Sequence, residues 1–461
     1  MNNSKYRYKY NKYLEKIRKM IKGGVSGVTE SMMFSSLDDL INTLQTSSKI
    51  ARSVAPYLLK DFGTKFQSES NEKKNSALRM IFGQDTSKFA QIIDVSYILL
   101  DDDNIDKIRG LMNSRNINAA RSNIVGKVDF STFRDLNYLN LADNGLNTIP
   151  NLPQSLQELN LYNNQLNTIP DFTQFVLLIK LNLFSNQIEE TPDLSKLPNS
   201  LQDLDLRRNH IGGTPDLSKL PNSLQYLDLS VNRLTGTPDL SKLPNSLQRL
   251  DLSHNRLTGT PNLSKLPNSL KFLNFRSNQL TGTPDLFQLP NSLEYLYLSE
   301  NELTGTPDLS KLPNSLQELW LNDNKLAGGM PDLSHLPIFL RVLWISSNQL
   351  TGTPNLSELP GSLQELNLGN NKLSGMPDLS KLPISLQRLG LGSNKLTGTP
   401  NLSELPDSLQ ILNLNDNQLT GTPDLSKLQD SLHSLNLSGN EFTGMPDLSG
   451  LSPSLRQAIR L

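Results

Sequence analysis

"LTGTPDLSKLPNSLQ" occupies residues 234–248 and returns letter for letter at 303–317. Aligning its neighbours on L-x-x-L-x-L-x-x-N-x-L gives unit starts at Leu136, Leu156, Leu178, Leu201, Leu224, Leu247, Leu270, Leu293, Leu316, Leu340, Leu363, Leu386, Leu409 and Leu432. The spacings are 20, 22 and then 23 throughout, with a single 24 after Leu316, where "LAGGMPDL" carries one extra residue. A further start at Leu455 is cut short. A fixed period of this length is the signature of a solenoid, in which each copy forms the next copy's other wall.

The letters of the phrase follow from that stacking. In the unit from Leu224, positions 1, 4, 6, 11, 17 and 20 are Leu224, Leu227, Leu229, Leu234, Leu240 and Leu243. One unit cannot enclose six leucines, whereas stacked copies can, and each buried leucine contributes roughly 1.5–3 kcal/mol. The L-x-L segment alternates, so Leu227 and Leu229 point inward while Tyr226 and Asp228 point out. Each unit therefore adds one short strand to a parallel sheet. Position 9 is asparagine in all fourteen units: Asn144, Asn164, Asn186, Asn209, Asn232, Asn255, Asn278, Asn301, Asn324, Asn348, Asn371, Asn394, Asn417 and Asn440. The chain turns inward there, and a short side chain with both donor and acceptor suits a buried ladder between turns. Gly236 permits an unusual backbone angle. Asp239 is placed to cap a short helical turn that Pro244 ends.

Composition bounds the rest. The chain has 461 residues, 44 Lys+Arg against 45 Asp+Glu and no cysteine. The charge balance gives no global attraction to nucleic acid or anionic membranes. Thiol chemistry and disulfides are excluded, and a reducing compartment is the easier home. No apolar run approaches the ~20 residues of a membrane span. The basic N-terminus lacks a secretory apolar core, so the expected location is intracellular and cytoplasmic.

Ahead of the repeats lie two regions. Residues 1–24 are basic and amphipathic: Tyr6, Tyr10, Tyr13, Ile17 and Met20 are spaced 4, 3, 4, 3, a heptad seam stopped by Gly23 and Gly24. Residues 25–130 read as mostly helical, with Ser36 as a cap before Leu37, Leu40, Ile41 and Leu44. Val95, Ile98, Leu100 and Ile105 also fit a degenerate repeat. Residues 131–461 form the repeat domain.

From residue 136 on, the chain resembles the leucine-rich-repeat superfamily. "NRLTGTPDL" is similar to the plant-type repeat, and "LPQSLQELNLYNNQLNTIP" to the short bacterial type. The resemblance implies an α/β solenoid: a horseshoe with a concave parallel β-sheet, used for protein recognition on that face and preceded here by the mostly helical N-terminal region. The cysteine-rich caps of extracellular members are missing. "YKYNKYLEKIRKMIKGG" resembles the start of uncharacterised proteins of giant DNA viruses of amoebae, which would place the protein in host cytoplasm. "LDDLINTLQTSSKIARSVAPYLLKDF" is similar to an F-box without its Leu-Pro opening. That likeness implies a substrate adaptor whose partner is the ubiquitin-ligase core.

Specificity must come from outward positions that vary. Position 5 reads Asn140, Asn160, Asn182, Asp205, Asp228, Asp251, Asn274, Tyr297, Trp320, Trp344, Asn367, Gly390, Asn413, Asn436. Both tryptophans of the chain fall in three consecutive aromatic units. Position 3 adds Tyr226, Phe272, Tyr295 and Val342. With strands ~4.8 Å apart the rings should form a row, either a hot spot for a protein partner or cross-strand packing. Asp205, Asp228 and Asp251 form an acidic ladder beside Arg207, Arg208 and Arg249, either solvated strand charge or a seat for basic groups of the partner.

No catalytic residues, metal site or cofactor are expected. His210, His254, His335 and His433 fall in different units at different positions, and no nucleophile–base set recurs. Nucleic-acid binding is not expected, since no basic groove accompanies residues 1–24. The reading is a non-enzymatic protein-interaction scaffold. The alternatives are the F-box-like adaptor and an extracellular receptor-like protein glycosylated at the N-x-S sites Asn262, Asn355 or Asn401.

Overall fold

The computed structural model of the chain describes residues 68–69, 93–95, 115–124, 128–189 and 191–461. The chain divides into two compact units, residues 1–145 with 150–156, and residues 146–149 with 157–461. The basic segment 1–24, with its giant-virus resemblance, and the F-box-like stretch lie outside the described residues.

In the first unit, strands Ile93–Asp94, Asn116–Asn118 and Tyr138–Asn140 pair in parallel, with Ile93 opposite Ile117 and Ile117 opposite Leu139. Two repeat-like strands thus precede residue 131, inside the region read as mostly helical. The leucine frame hid the second because Ile117 and Ala119 fill positions 4 and 6 and Ser122 replaces the asparagine at position 9; the degenerate repeat read from Val95 missed the frame of the first, in which Ile93 stands at position 4, opposite Ile117. The Ile117 and Ala119 side chains are fully buried. The Ser122 hydroxyl donates to the Val95 carbonyl at 2.9 Å, and its N–H donates to Asn144 Oδ1 at 2.8 Å. Asn144 Nδ2 in turn donates to the carbonyls of Ala119 and Leu141, at 2.9 and 2.8 Å.

In the second unit, each repeat adds a parallel strand of three residues. The sheet runs from Glu158–Asn160 to Ser434–Asn436 and closes with Ile459–Arg460 behind the helix Pro453–Ala458. The register advances by one repeat per strand, so Leu227, Leu250 and Leu273 stand side by side. The central leucine of each strand is buried, and in almost every strand both flanking residues reach solvent. The 24-residue unit keeps that register, with Trp320 opposite Trp344. Its extra residue is absorbed on the other wall in Ala327–Gly329, which pairs with Gln349–Gly352.

The turn after each strand is held by its asparagine. Asn255 Nδ2 donates to Leu229 O of the preceding repeat at 3.0 Å, and to Leu252 O and Ser253 O of its own at 3.0 and 3.1 Å. Asn255 Oδ1 accepts from Leu234 N at 3.0 Å. The same contacts recur from Asn209 to Asn440. The residue before each asparagine takes a left-handed conformation, for example Val231 at φ 56° and His254 at φ 53°. Beyond the turn, "LTGT" forms a second, shorter ladder. Gly259 has φ 73°, and a Cβ there would sit 2.1 Å from Thr237 Oγ1 of the preceding repeat. That hydroxyl donates to Thr258 O at 2.8 Å, so glycine is required by both angle and neighbour. The wall is completed by 3₁₀ turns such as Leu240–Lys242, capped by Asp239 Oδ1 accepting from Ser241 N. Asn262, Asn355 and Asn401 make the same cap to Ser264, Ser357 and Ser403.

Replacing Asn255 by Ala strands one buried N–H and takes one of two donors from each of three carbonyls. The expected loss is about 3 kcal/mol, read as a lowered urea midpoint. Val231 is a β-branched residue in the left-handed region with its side chain largely in solvent. Val231→Asn is expected to raise stability by about 1 kcal/mol; an unchanged or lowered midpoint contradicts the strain assigned to that turn.

Candidate partner-binding face

Position 5 has a local task that its chemistry explains. Its side-chain oxygen reaches forward to the N–H of position 7, closing an Asx turn as the chain leaves the strand. Asn160 accepts from Tyr162 N at 3.0 Å, Asp205 from Arg207 N at 3.0 Å, and Asn274 from Arg276 N at 2.9 Å. Asn367 and Asn436 do the same for Gly369 and Ser438. Three consecutive repeats abandon this cap. Tyr297, Trp320 and Trp344 carry no side-chain acceptor in reach, and the N–H groups of Ser299, Asn322 and Ser346 make no hydrogen bond among the described residues. The Ser299 hydroxyl, Trp320 Nε1 and Asn322 Oδ1 are also buried without partners.

In place of the caps stands a stack of rings. Trp320 lies 4.7 Å from Trp344 at an interplanar angle of 15°, and Tyr297 lies 4.4 Å from Trp320 at 31°. Phe272 meets Tyr297 edge-on at 5.4 Å and Tyr295 at 6.2 Å, and the Arg249 guanidinium lies 3.5 Å above the Phe272 ring. The structure therefore brings Phe272, Tyr295, Tyr297, Trp320 and Trp344 together. Tyr226 stands apart, 42% exposed, with the strand Arg249–Asp251 between it and Phe272. The Tyr297 hydroxyl donates to Glu318 Oε2 at 2.8 Å. Burial, reinforced by that carboxylate, pushes the phenol well above its usual range.

Magnitudes weigh the row against simple packing. Each aromatic pair adds about 0.5–1.5 kcal/mol beyond burial. Each lost cap costs about 0.5–1.5 kcal/mol, and the buried orphans add to that cost. The pair energy roughly offsets the lost caps, so what the rings add to stability is their burial, and that burial is incomplete.

The acidic ladder is engaged within the sheet. Asp205 pairs with Arg207 at 2.6 Å, and Arg207 also reaches Asp228 at 3.5 Å. Asp228 accepts from both the N–H and hydroxyl of Ser230, and Asp251 from those of Ser253 and from Asn274 Nδ2. Burial, with the neighbouring Asp251 charge, raises the Asp228 carboxyl to about 6. A second ring group, visible in the sequence at position 7 of two consecutive units, brings Tyr162 and Phe184 to 5.0 Å, and Arg207 covers Phe184 at 4.9 Å. Two exposed isoleucines, Ile338 and Ile384, each break the "LPNS" spelling of the other repeats.

Among the described residues no group of His, Asp and Glu could hold a metal ion, and no helix is long and apolar enough to cross a membrane.

Comparison with known proteins agrees with the geometry. Models described as leucine-rich repeats match residues 155–175, 198–214, 222–264, 291–336, 339–381, 408–428 and 431–452. A solved leucine-rich-repeat protein of Leptospira interrogans is 30% identical, over 80% of this chain and 95% of that one, with a TM-score of 0.61. The chain belongs to the leucine-rich-repeat family. Two further similar structures are the plant peptide hormone receptor RGFR1 in complex with RGF2 and a TDR receptor. RGFR1 is 24% identical over 79% of this chain and 72% of that one, TM-score 0.53. The TDR receptor is 25% identical over 73% and 66%, TM-score 0.53. No curated protein sequence matches the chain. Members of this family are typically interaction scaffolds rather than enzymes.

The Asp228 carboxyl makes a testable link between this face and pH. Its folded pKa lies above the unfolded value, so its contribution is full below about pH 4 and is lost as pH rises through about 6. Asp228→Asn keeps the cap and removes the charge. It should leave stability unchanged near pH 4 and raise it by about 2 kcal/mol at pH 7.5; equal gains at both pH values contradict the assignment.

Proposed function

We infer that the chain is a non-enzymatic scaffold that binds a protein partner on the strand face of the repeats starting at Leu270 to Leu340. The observation that carries the reading is the exchange of a local cap for three stacked rings in consecutive repeats, which leaves amides uncapped and ring surface in solvent. Tyr297, Trp320 and Trp344 supply the anchor, since tyrosine and tryptophan dominate interface hot spots. Phe272 and Tyr295 widen it. Arg249 over Phe272 and the Asp228–Asp251 pair border it with charge, which would orient the partner more than hold it.

The test restores the cap that the other repeats use. A triple Tyr297→Asn, Trp320→Asn, Trp344→Asn variant is expected to fold, with a urea midpoint lowered by the lost ring burial, because asparagine is the resident of neighbouring units. Affinity capture from cells, read by mass spectrometry, should then show one partner present with the parent chain and lost with the variant. The same proteins captured by both would move the site off the aromatic row.

A further inference from the structure

Three consecutive repeats break the polar spelling of the turn that leads into each strand. Two residues before each repeat's first leucine the chain reads asparagine from Asn199 to Asn314 and aspartate at Asp407 and Asp430, but Ile338, Gly361 and Ile384 in between. Ile384 is 87% exposed and Ile338 64%. A Cβ built on Gly361 would meet nothing within 4 Å, so its rung is an open notch between two protruding side chains. Phe339, also exposed, stands beside Ile338 in place of a serine. Ser315 and Ser362, its counterparts in the adjoining repeats, each donate to a carbonyl of the repeat before at 2.7 Å, a bond that Phe339 cannot make. An edge that gives up a hydrogen bond and gathers apolar side chains in solvent calls for a cover.

We propose that the cover is a second copy of this chain, related by a two-fold axis that falls between the Gly361 and Ile384 rungs. A two-fold contact brings the same repeat positions together with the order of repeats reversed. With the axis there, Ile384 of each copy enters the Gly361 notch of the other. Charge supports this register. Three residues before the successive rungs stand Lys311, His335, Glu358, Lys381 and Glu404. Glu358 and Lys381 are exposed, and neither forms an ion pair among the described residues. The proposed axis sets Glu358 of each copy against Lys381 of the other, twice per dimer. Other registers are worse. An axis on the Gly361 rung opposes Glu358 to Glu358, one on the Ile384 rung opposes Lys381 to Lys381, and one between Ile338 and Gly361 opposes Lys381 to Lys311. An axis between Ile384 and Asp407 keeps opposite charges together but sets Ile384 against a carboxylate instead of a notch. In the proposed register Ile338 faces Asp407 of the second copy, and the exposed Arg341, three residues on, gives that carboxylate a counter-charge.

The experiment reads the mass of the full chain in solution by sedimentation equilibrium. The parent should form a dimer at about 100 μM, a concentration at which a small, partly apolar contact still holds. Ile384→Asn and Gly361→Asn each restore the neighbouring spelling, the first by removing the knob and the second by filling the notch. Each change acts twice in the dimer and should weaken it about a hundredfold, while urea midpoints close to the parent's show that the fold is kept. Glu358→Lys should weaken the dimer about tenfold, and Glu358→Lys combined with Lys381→Glu should restore it. The triple-asparagine chain described above should dimerise like the parent, since its changes lie on the strand face. A parent chain that stays monomeric overturns the proposal. So does a dimer that survives both Ile384→Asn and Gly361→Asn, or one that is lost in the triple-asparagine chain, which would assign the contact to the aromatic row. A double charge variant no tighter than Glu358→Lys overturns the register.

Discussion

Everything in the repeat domain depends on the asparagine that follows each strand. Its amide ties the carbonyl of one repeat's position 6 to the turn of the next, and its oxygen takes the N–H that opens the facing wall. Leucine burial supplies most of the free energy of stacking, but leucines alone do not fix a turn whose backbone polar groups are out of water. The asparagine satisfies those groups between repeats rather than within one. Each rung is therefore completed only by its neighbour, which is the physical basis of a quasi-one-dimensional fold.

That constraint separates the positions free to change from those that are not. Position 8 must sit in the left-handed region, and it tolerates Asp, Asn, Ser, Val, His and Glu because its side chain leaves the core. Position 13 must be glycine where the preceding repeat presents its threonine, as at Gly236 and Gly259. At Gly352 and Gly398 no such neighbour closes in, because Met330 and Met376 stand where the threonine would be. Position 5 lies between these extremes. It is exposed enough to vary, yet it holds a hydrogen bond in most repeats. A change there is not free, and three consecutive changes to large rings mark a place where the scaffold's own interest was set aside.

How much of this the sequence disclosed follows from which residues carry period and which carry geometry. The repeat frame was legible because leucine and asparagine recur at fixed spacing, and the ring row because it interrupts a run of small polar residues. The strand Asn116–Asn118 was not, since Ile117, Ala119 and Ser122 do the work of leucine and asparagine without sharing their letters, and the degenerate repeat at Val95 reads in a frame that misses Ile93. The Asx cap was hidden for a different reason. An outward Asn or Asp in a strand reads as solvated polarity, and only the backbone direction at position 7 shows that its oxygen is engaged. With that hydrogen bond unseen, Asp205, Asp228 and Asp251 resembled a ladder offered to a partner. In the structure each is first of all an acceptor for its own turn.

The same hydrogen bond changes how the aromatic row is to be judged. Rings added to a neutral exposed position would show no more than a stable sheet, because cross-strand aromatic pairs stabilise any sheet. Rings added at the expense of a cap must also outweigh what the cap contributed. Here the pair energy is of similar size to the lost caps, the ring burial is incomplete, and Ser299, Trp320 and Asn322 are left with buried atoms unsatisfied. A face that is less completely hydrogen-bonded than its neighbours and more apolar has the properties of a surface finished by something else. In a solenoid, where every other rung is finished by the next copy of itself, the repeats from Leu293 to Leu340 are the ones whose strand face the stacking leaves incomplete.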